Sequence, residues 1–224
     1  MSATPPLDWS RDGAAHHPAA AIPLLPALHR LADDLPQDRA GLRLHGHPAL
    51  PALLAAGPIH AIATLHLGAA TQPVRAVLFD KTPATNWSLG WHQDRTIAVQ
   101  TRAHVPGYGP WSTKQGIQHV EPPFAITEAM VTLRIHLDDT PADNAPLLIA
   151  PGSHRLGRIP EDAIADTVAR HRTVACLADA GDVWCYATPI LHASAAAQGN
   201  RRRRVLQVDY AATALPEPLV WLGI

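Results

Sequence analysis

A chain of 224 residues with a formal net charge of -1 is long enough for one domain with a substantial core, and it carries no global field to gather nucleic acid or an acidic membrane surface. Apolar residues at 47% against 17% charged exclude a disordered polymer, and 5% aromatics with one short basic run, Arg201 to Arg204, leave no stripe for nucleic-acid stacking. Two cysteines, Cys176 and Cys185, exclude a disulfide scaffold or a four-sulfur zinc site and are expected as inert thiols in a reducing, cytoplasmic setting.

The start, MSATPPLDWSRDG, lacks the basic-then-apolar pattern of a secretory signal. Residues 1–22, rich in Pro, Ala and Gly without a period, read as a loose arm. Leu24, Leu28, Leu31 and Leu35 recur at helical spacing until Pro36, and residues 48–67 read as two helical pieces divided by Pro58. From there the texture turns to strands. PVRAVLFDK (73–81) and TIAVQTRAHV (96–105) are candidates, separated by a polar loop. Residues 106–123, dense in Gly and Pro, read as a long loop around a short strand, suited to a lid. MVTLRIHLDD (130–139) alternates, with Val131, Leu133, Ile135 and Leu137 on one face and Thr132, Arg134, His136 and Asp138 on the other. Strands follow at 145–154, 173–178, 181–188, 190–194 and 203–211, with a helix over 161–170. No apolar stretch is long and uncharged enough to span a bilayer. Helices first and then many short strands predict one mainly β domain, a jelly roll with N-terminal helices packed on one side and its core over 73–211.

An iron centre that activates oxygen needs two imidazoles and one carboxylate on one face, leaving the remaining positions open. A His-x-acid pair supplies two of these from one stretch of backbone. Three such pairs occur: His92/Asp94, His119/Glu121 and His136/Asp138. His92 follows a strand and a polar loop, at what would be a barrel mouth. His119 lies in the Gly/Pro-rich loop, where fixed geometry is harder to hold. His136 shares a strand face with Arg134, whose charge opposes a metal. His92 and Asp94 are therefore preferred. The second imidazole should come from a late strand. His192, 98 residues after Asp94, fits better than His154, which sits in a Pro-Gly turn. If 2-oxoglutarate is the cosubstrate, its far carboxylate needs a cation, and the fork of an arginine suits it. Arg203 and Arg204 both lie on the strand after His192. They point to opposite faces, and alternation alone leaves the choice between them open.

Four segments, FDKTPATNWSLGWHQD, LRIHLDDTPADNAPLLIAPGSH, GDVWCYATPILHAS and RRRRVLQVDY, stand in the order seen in the phytanoyl-CoA dioxygenase family of iron(II)/2-oxoglutarate enzymes, which the chain resembles over about 73–211. The resemblance implies a double-stranded β-helix. It implies His92, Asp94 and His192 as metal ligands and Arg203 for the cosubstrate carboxylate, with Ser194, Lys81, Gln93 and Trp91 nearby. The family's Asn-Gly-Pro-Leu reads Asn144-Ala145-Pro146-Leu147 here, so that turn is expected to differ. Asp94 is retained where chlorinating relatives carry a small residue, so an oxidation such as hydroxylation is expected. Arg134 is a further cosubstrate candidate, and His136, Tyr108 and Trp111 are substrate candidates, with Lys114 beside them on the lid. The competing readings are a metal-binding jelly roll without oxygenase activity and a zinc hydrolase; dependence on 2-oxoglutarate separates them. A small polar metabolite fits the short chain better than an acyl-CoA. The sequence sets no oligomeric state.

Overall fold

The computed structural model describes residues 7–224. In chain order its elements are α1 (Trp9–Asp12), β1 (Ala14–His17), α2 (Leu25–Asp33), β2 (Gly41–Leu44), α3 (Leu50–Leu54), α4 (Gly57–Leu67), β3 (Gln72–Lys81), β4 (Leu89–His92), β5 (Ile97–Val99), β6 (Trp111–Lys114), β7 (Ile117–Val120), α5 (Phe124–Glu128), β8 (Met130–His136), β9 (Leu147–Ile149), α6 (Ile164–Ala169), β10 (Val174–Cys176), β11 (Val183–Ala187), β12 (His192–Ser194) and β13 (Arg203–Ala211). A six-stranded sheet runs β1-β11-β8-β13-β3-β2 and a four-stranded sheet runs β10-β9-β12-β4; β5-β7-β6 form a third. Every strand pairing is antiparallel. This is the expected mainly β jelly roll with helices on the outside of its large sheet.

Alternation along three neighbouring strands builds the two faces of that sheet. Leu78 of β3, Leu133 and Ile135 of β8, and Leu206, Val208 and Tyr210 of β13 pack against Leu28, Leu31, Leu50, Leu54 and Ile59 of the helices. Each fully buried Leu or Ile here contributes about 1.5–3 kcal/mol. The Tyr210 hydroxyl donates to the Leu54 carbonyl at 2.8 Å, so the buried phenol is not left unpaired. The opposite face of the same strands carries Lys81, Phe79, Val77 and Arg75 across from Arg203, Val205, Gln207 and Asp209. That row lines the inside of the roll.

Three segments differ from expectation. Residues 7–22 are not a loose arm: β1 adds to the large sheet against β11, with His16 opposite Trp184. The His16 ring stacks on Trp184 at 4.6 Å between centroids and its Nε2 lies 2.9 Å from one Asp182 carboxylate oxygen, while the other accepts from the Ala19 amide. Gly13 makes the turn into β1 at φ +68°, where a Cβ would meet the His154 ring at 2.3 Å. Residues 1–6 lie outside the described residues. The 96–105 strand shrinks to Ile97–Val99, because its edge pairs with the C-terminal segment, Gln100 N–H donating to the Val220 carbonyl at 3.0 Å, and the chain then bends away. The 106–123 loop holds a hairpin, β6 and β7, closed by Gln115 and Gly116 at φ +53° and +80°, the positive pair that a two-residue primed turn requires. Both cysteines are buried and unbonded to each other, and burial pushes both thiols up in pKa. No described helix is long and apolar enough to cross a membrane.

Candidate metal centre

His92 ends β4 and His192 opens β12, and the two stand directly opposite each other in the sheet. Pairing across two short strands thus brings together residues 100 apart, with the rings 4.2 Å apart between centroids. Asp94 follows His92 by two and turns back to the same place. One ligand-capable atom from each of the three lies within 4.8 Å of the others. Each imidazole Nδ1 faces the carbonyl two residues before it, His92 to Gly90 at 2.8 Å and His192 to Ile190 at 2.9 Å. A carbonyl only accepts, so Nδ1 carries the proton in both rings and Nε2 keeps its lone pair. Asp94 accepts on one oxygen only, from Arg75 and Gln207 at 3.3 Å each, leaving its other oxygen free of protein donors. Burial pushes the Asp94 carboxyl up, but Arg75 and the two imidazoles outweigh it and hold the group at about 2. Burial holds His192 down at about 4, against the pull of Asp94. Near neutral pH Asp94 is therefore a carboxylate and His192 a neutral imidazole, as a divalent cation requires of its ligands.

The rival pairs do not converge. His119 is buried with Nδ1 on the Ile117 carbonyl, while Glu121 is paired with Arg158 at 2.7 Å. Asp138 is held by Arg204 through two oxygens at 2.9 and 2.8 Å. That same contact decides between the arginines. Arg204 points outward, and Arg203 is 1% exposed and lines the pocket. Its guanidinium donates to the Ala145 carbonyl, and its Nε has no partner. Ala145, standing where the family has glycine, adopts φ +51°, at a cost of about 1–2 kcal/mol for a side chain with a Cβ.

The pocket in front of the triad has a volume near 430 Å³, inside the range of small-molecule sites. His92, Asp94, His192, Arg203, Ser194, Lys81 and Arg134 all line it. Lys81, 1% exposed, stands opposite Arg203 in the sheet and donates to Ser194 Oγ at 3.1 Å and the Ala195 carbonyl at 2.7 Å. Burial, then Arg203 and Arg134, push its ammonium down to about 7. Arg134 donates to Gln207 at 2.9 Å and lies over the Phe79 ring. Among the described residues none of these three cations has a carboxylate partner.

Other expected site residues fall elsewhere. Gln93 reaches the wall, and its amide donates to the Pro189 and Gly157 carbonyls and accepts from Ile159 N–H, bonds that clamp the His92–Asp94 segment. Trp91 points to the opposite side of β4, against the cluster of Ala150, Ile159, Ile164 and Leu191. Tyr108 and Trp111 pack on the apolar cluster of Val74, Ile97 and Val120, outside the pocket lining. His136 is 1% exposed, bonded through Nδ1 to Thr140 at 2.9 Å, and kept neutral by burial and by Arg134 and Arg203; it is a core histidine. Arg75, Gln207 and Arg43 were not anticipated. Extending the alternation of β3 from Lys81 and of β13 from Arg203 reaches the first two.

A comparison with curated proteins finds no match. Solved structures share the fold. EctD from S. alaskensis is 18% identical, with 100% of this chain covering 83% of that one at a TM-score of 0.68. The epimerase SnoN, solved with Fe3+, alpha-ketoglutarate and nogalamycin RO, is 16% identical over 91% of this chain and 80% of its own, at 0.66. HygX from Streptomyces hygroscopicus, solved with nickel and 2-oxoglutarate, is 13% identical over 93% and 86%, at 0.64. The model of the family described as phytanoyl-CoA dioxygenase (PhyH) matches residues 47–205, and the chain belongs to that family.

Proposed function

We propose that the protein is an iron(II)- and 2-oxoglutarate-dependent dioxygenase that hydroxylates a C–H bond of a small molecule, with release of succinate and carbon dioxide. The observation that carries this is the pairing of a His-Asp-His cluster with three buried cations, Lys81, Arg134 and Arg203, that have no carboxylate partner among the described residues. Holding such charges out of water is costly without an anion to meet them. His92, Asp94 and His192 hold the metal through two Nε2 atoms and one carboxylate oxygen. Arg203 takes the far carboxylate of the cosubstrate through its fork, with Lys81 and Ser194 beside it. Bound there, iron(II) and 2-oxoglutarate would supply oxygen activation coupled to oxidative decarboxylation. Gln207 bridges Asp94 and Arg134, so the two ends of the site are fixed relative to each other.

The direct test is an anaerobic titration of the metal-free protein with iron(II) and then 2-oxoglutarate. A visible metal-to-ligand charge-transfer band is expected, and succinate formation follows on admitting oxygen. Iron binding with no response to 2-oxoglutarate in spectrum or affinity would leave a metal-binding jelly roll or a hydrolase.

The lowered Lys81 ammonium gives a second expectation. Facing a dianion raises its pKa, so binding takes up a proton wherever the free group is neutral. Affinity for 2-oxoglutarate is full below pH 7, where Lys81 is already charged. It weakens above that by up to about tenfold per pH unit, until the raised pKa is passed. Calorimetry of the metal-loaded protein at pH 8, in two buffers of different ionisation enthalpy, should show uptake approaching one proton. No uptake would mean that Lys81 is already charged at pH 8 or stands apart from the cosubstrate, and the pH dependence would fall.

A further inference from the structure

We infer that the molecule oxidised in this pocket carries an oxyanion, a carboxylate or a phosphate, held by Arg43 and Lys114 at the pocket mouth; the inference rests on the oxygenase reading above. It comes from accounting for every cation in the wall. Arg75 is committed to Asp209 and Asp94. Arg95 is committed to the Ile159 carbonyl and Glu161. Lys81, Arg134 and Arg203 serve the cosubstrate. Arg43 and Lys114 remain. Both line the pocket, and among the described residues neither side chain makes a hydrogen bond or ion pair. The Arg43 Nε is buried with no partner at all.

The two are not stray surface charges. Arg43 stands opposite Val77 on the edge strand β2 and so shares its inward face. Lys114 ends β6 at the tip of the hairpin. The next residue, Gln115, accepts from the Arg43 N–H at 2.9 Å and donates to the Gly41 carbonyl at 2.8 Å. Its amide pairs with the open edge of β2 much as another strand would, and this staples the tip over Arg43. Like charges are thereby kept together: burial and then Arg75 lower the Arg43 pKa, and burial, then Arg43 and Arg75, lower that of Lys114. Only Asp94 offsets them nearby.

This cation pair is separate from the cosubstrate end. Lys81, opposite Arg203, is four residues along β3 from Val77, opposite Arg43, which is about 13 Å of strand. One short dicarboxylate fixed at Arg203 and chelated at the triad does not also occupy Arg43. A second anion does, and the cavity volume allows it.

The test uses full-length protein loaded with iron(II) and saturated with 2-oxoglutarate without oxygen. Inorganic phosphate and butyrate are titrated in, and paramagnetic relaxation of phosphorus and of the butyrate protons is read. Parent protein is compared with the Arg43→Gln/Lys114→Gln double variant. The expected result is that at least one probe binds near the iron and that the double variant weakens it about tenfold or more. The charge-transfer band should persist in both proteins. The stronger probe names the anion class. If neither probe relaxes in the parent, or the variant binds them as tightly, the assignment falls while the band still stands. A band missing from the parent before any probe is added overturns the oxygenase reading and this inference together.

Discussion

Arg203→Leu should weaken 2-oxoglutarate binding by about 30-fold or more while leaving the metal-free protein as stable as the parent or more so. The two halves of this result have one cause. Arg203 is a buried cation with no carboxylate opposite it, held down at about 9 by burial and then by Arg134. A base whose folded pKa lies below its unfolded one destabilises the fold wherever it is charged, which here includes neutral pH. Leucine removes that charge and fills most of the space. The Ala145 carbonyl still accepts from Ser194 at 3.3 Å, so little is orphaned. The cosubstrate loses its buried counter-charge, a change of about 2–5 kcal/mol, or roughly 30-fold to several-thousand-fold in affinity. Thermal scans read both halves. The apo Tm should hold or rise. In the metal-loaded parent, 2-oxoglutarate at about a hundred times its Kd should raise Tm by about 5–11 °C, a gain cut to about a third or less in the variant. A clear fall in the apo Tm would make Arg203 a structural residue instead.

Asp94→Asn should reduce succinate formation below about 1% of the parent and weaken iron(II) binding by about 100-fold or more, beyond what the loss of a residue merely orienting a ligand would do. The change isolates charge from shape. An asparagine carbonyl can still accept from Arg75 and Gln207, as the aspartate oxygen does now. What disappears is the negative charge that offsets both the cation and the surrounding guanidinium groups. Because the carboxyl is depressed to about 2, its stabilising effect is present above the ordinary carboxylate range and is lost as pH falls through 2. The apo variant is therefore expected to be somewhat less stable at neutral pH. Equilibrium iron titration and oxygen-dependent succinate release check the claim; near-parental iron affinity would displace Asp94 from the metal.

The order of elements, the jelly roll and the pairing of His92 and Asp94 with a late histidine were legible because each rests on local rules. A residue and its second neighbour share a strand face, strands alternate with period two, and a one-carboxylate, two-imidazole set has a recognisable spacing. The N-terminal strand was not legible. Ala14–His17 is four residues long, too short for a period, and what orders it, Asp182 and Trp184, lies about 166 residues away. β2 escaped for the same reason, and with it Arg43.

The choice between Arg203 and Arg204 shows where sequence alone stops. Along β13 both faces are covered, one by the helices through Leu206, Val208 and Tyr210 and the other by the interior of the roll through Val205, Gln207 and Asp209. Burial on both sides erases the polar-out signal that would name the inward face. Sequence by itself brought out the two-imidazole, one-carboxylate set, because ligand type and spacing are covalent facts. Only the tertiary structure decided which cations are left without a counter-charge, because that depends on which carboxylates the sheet register places across from them.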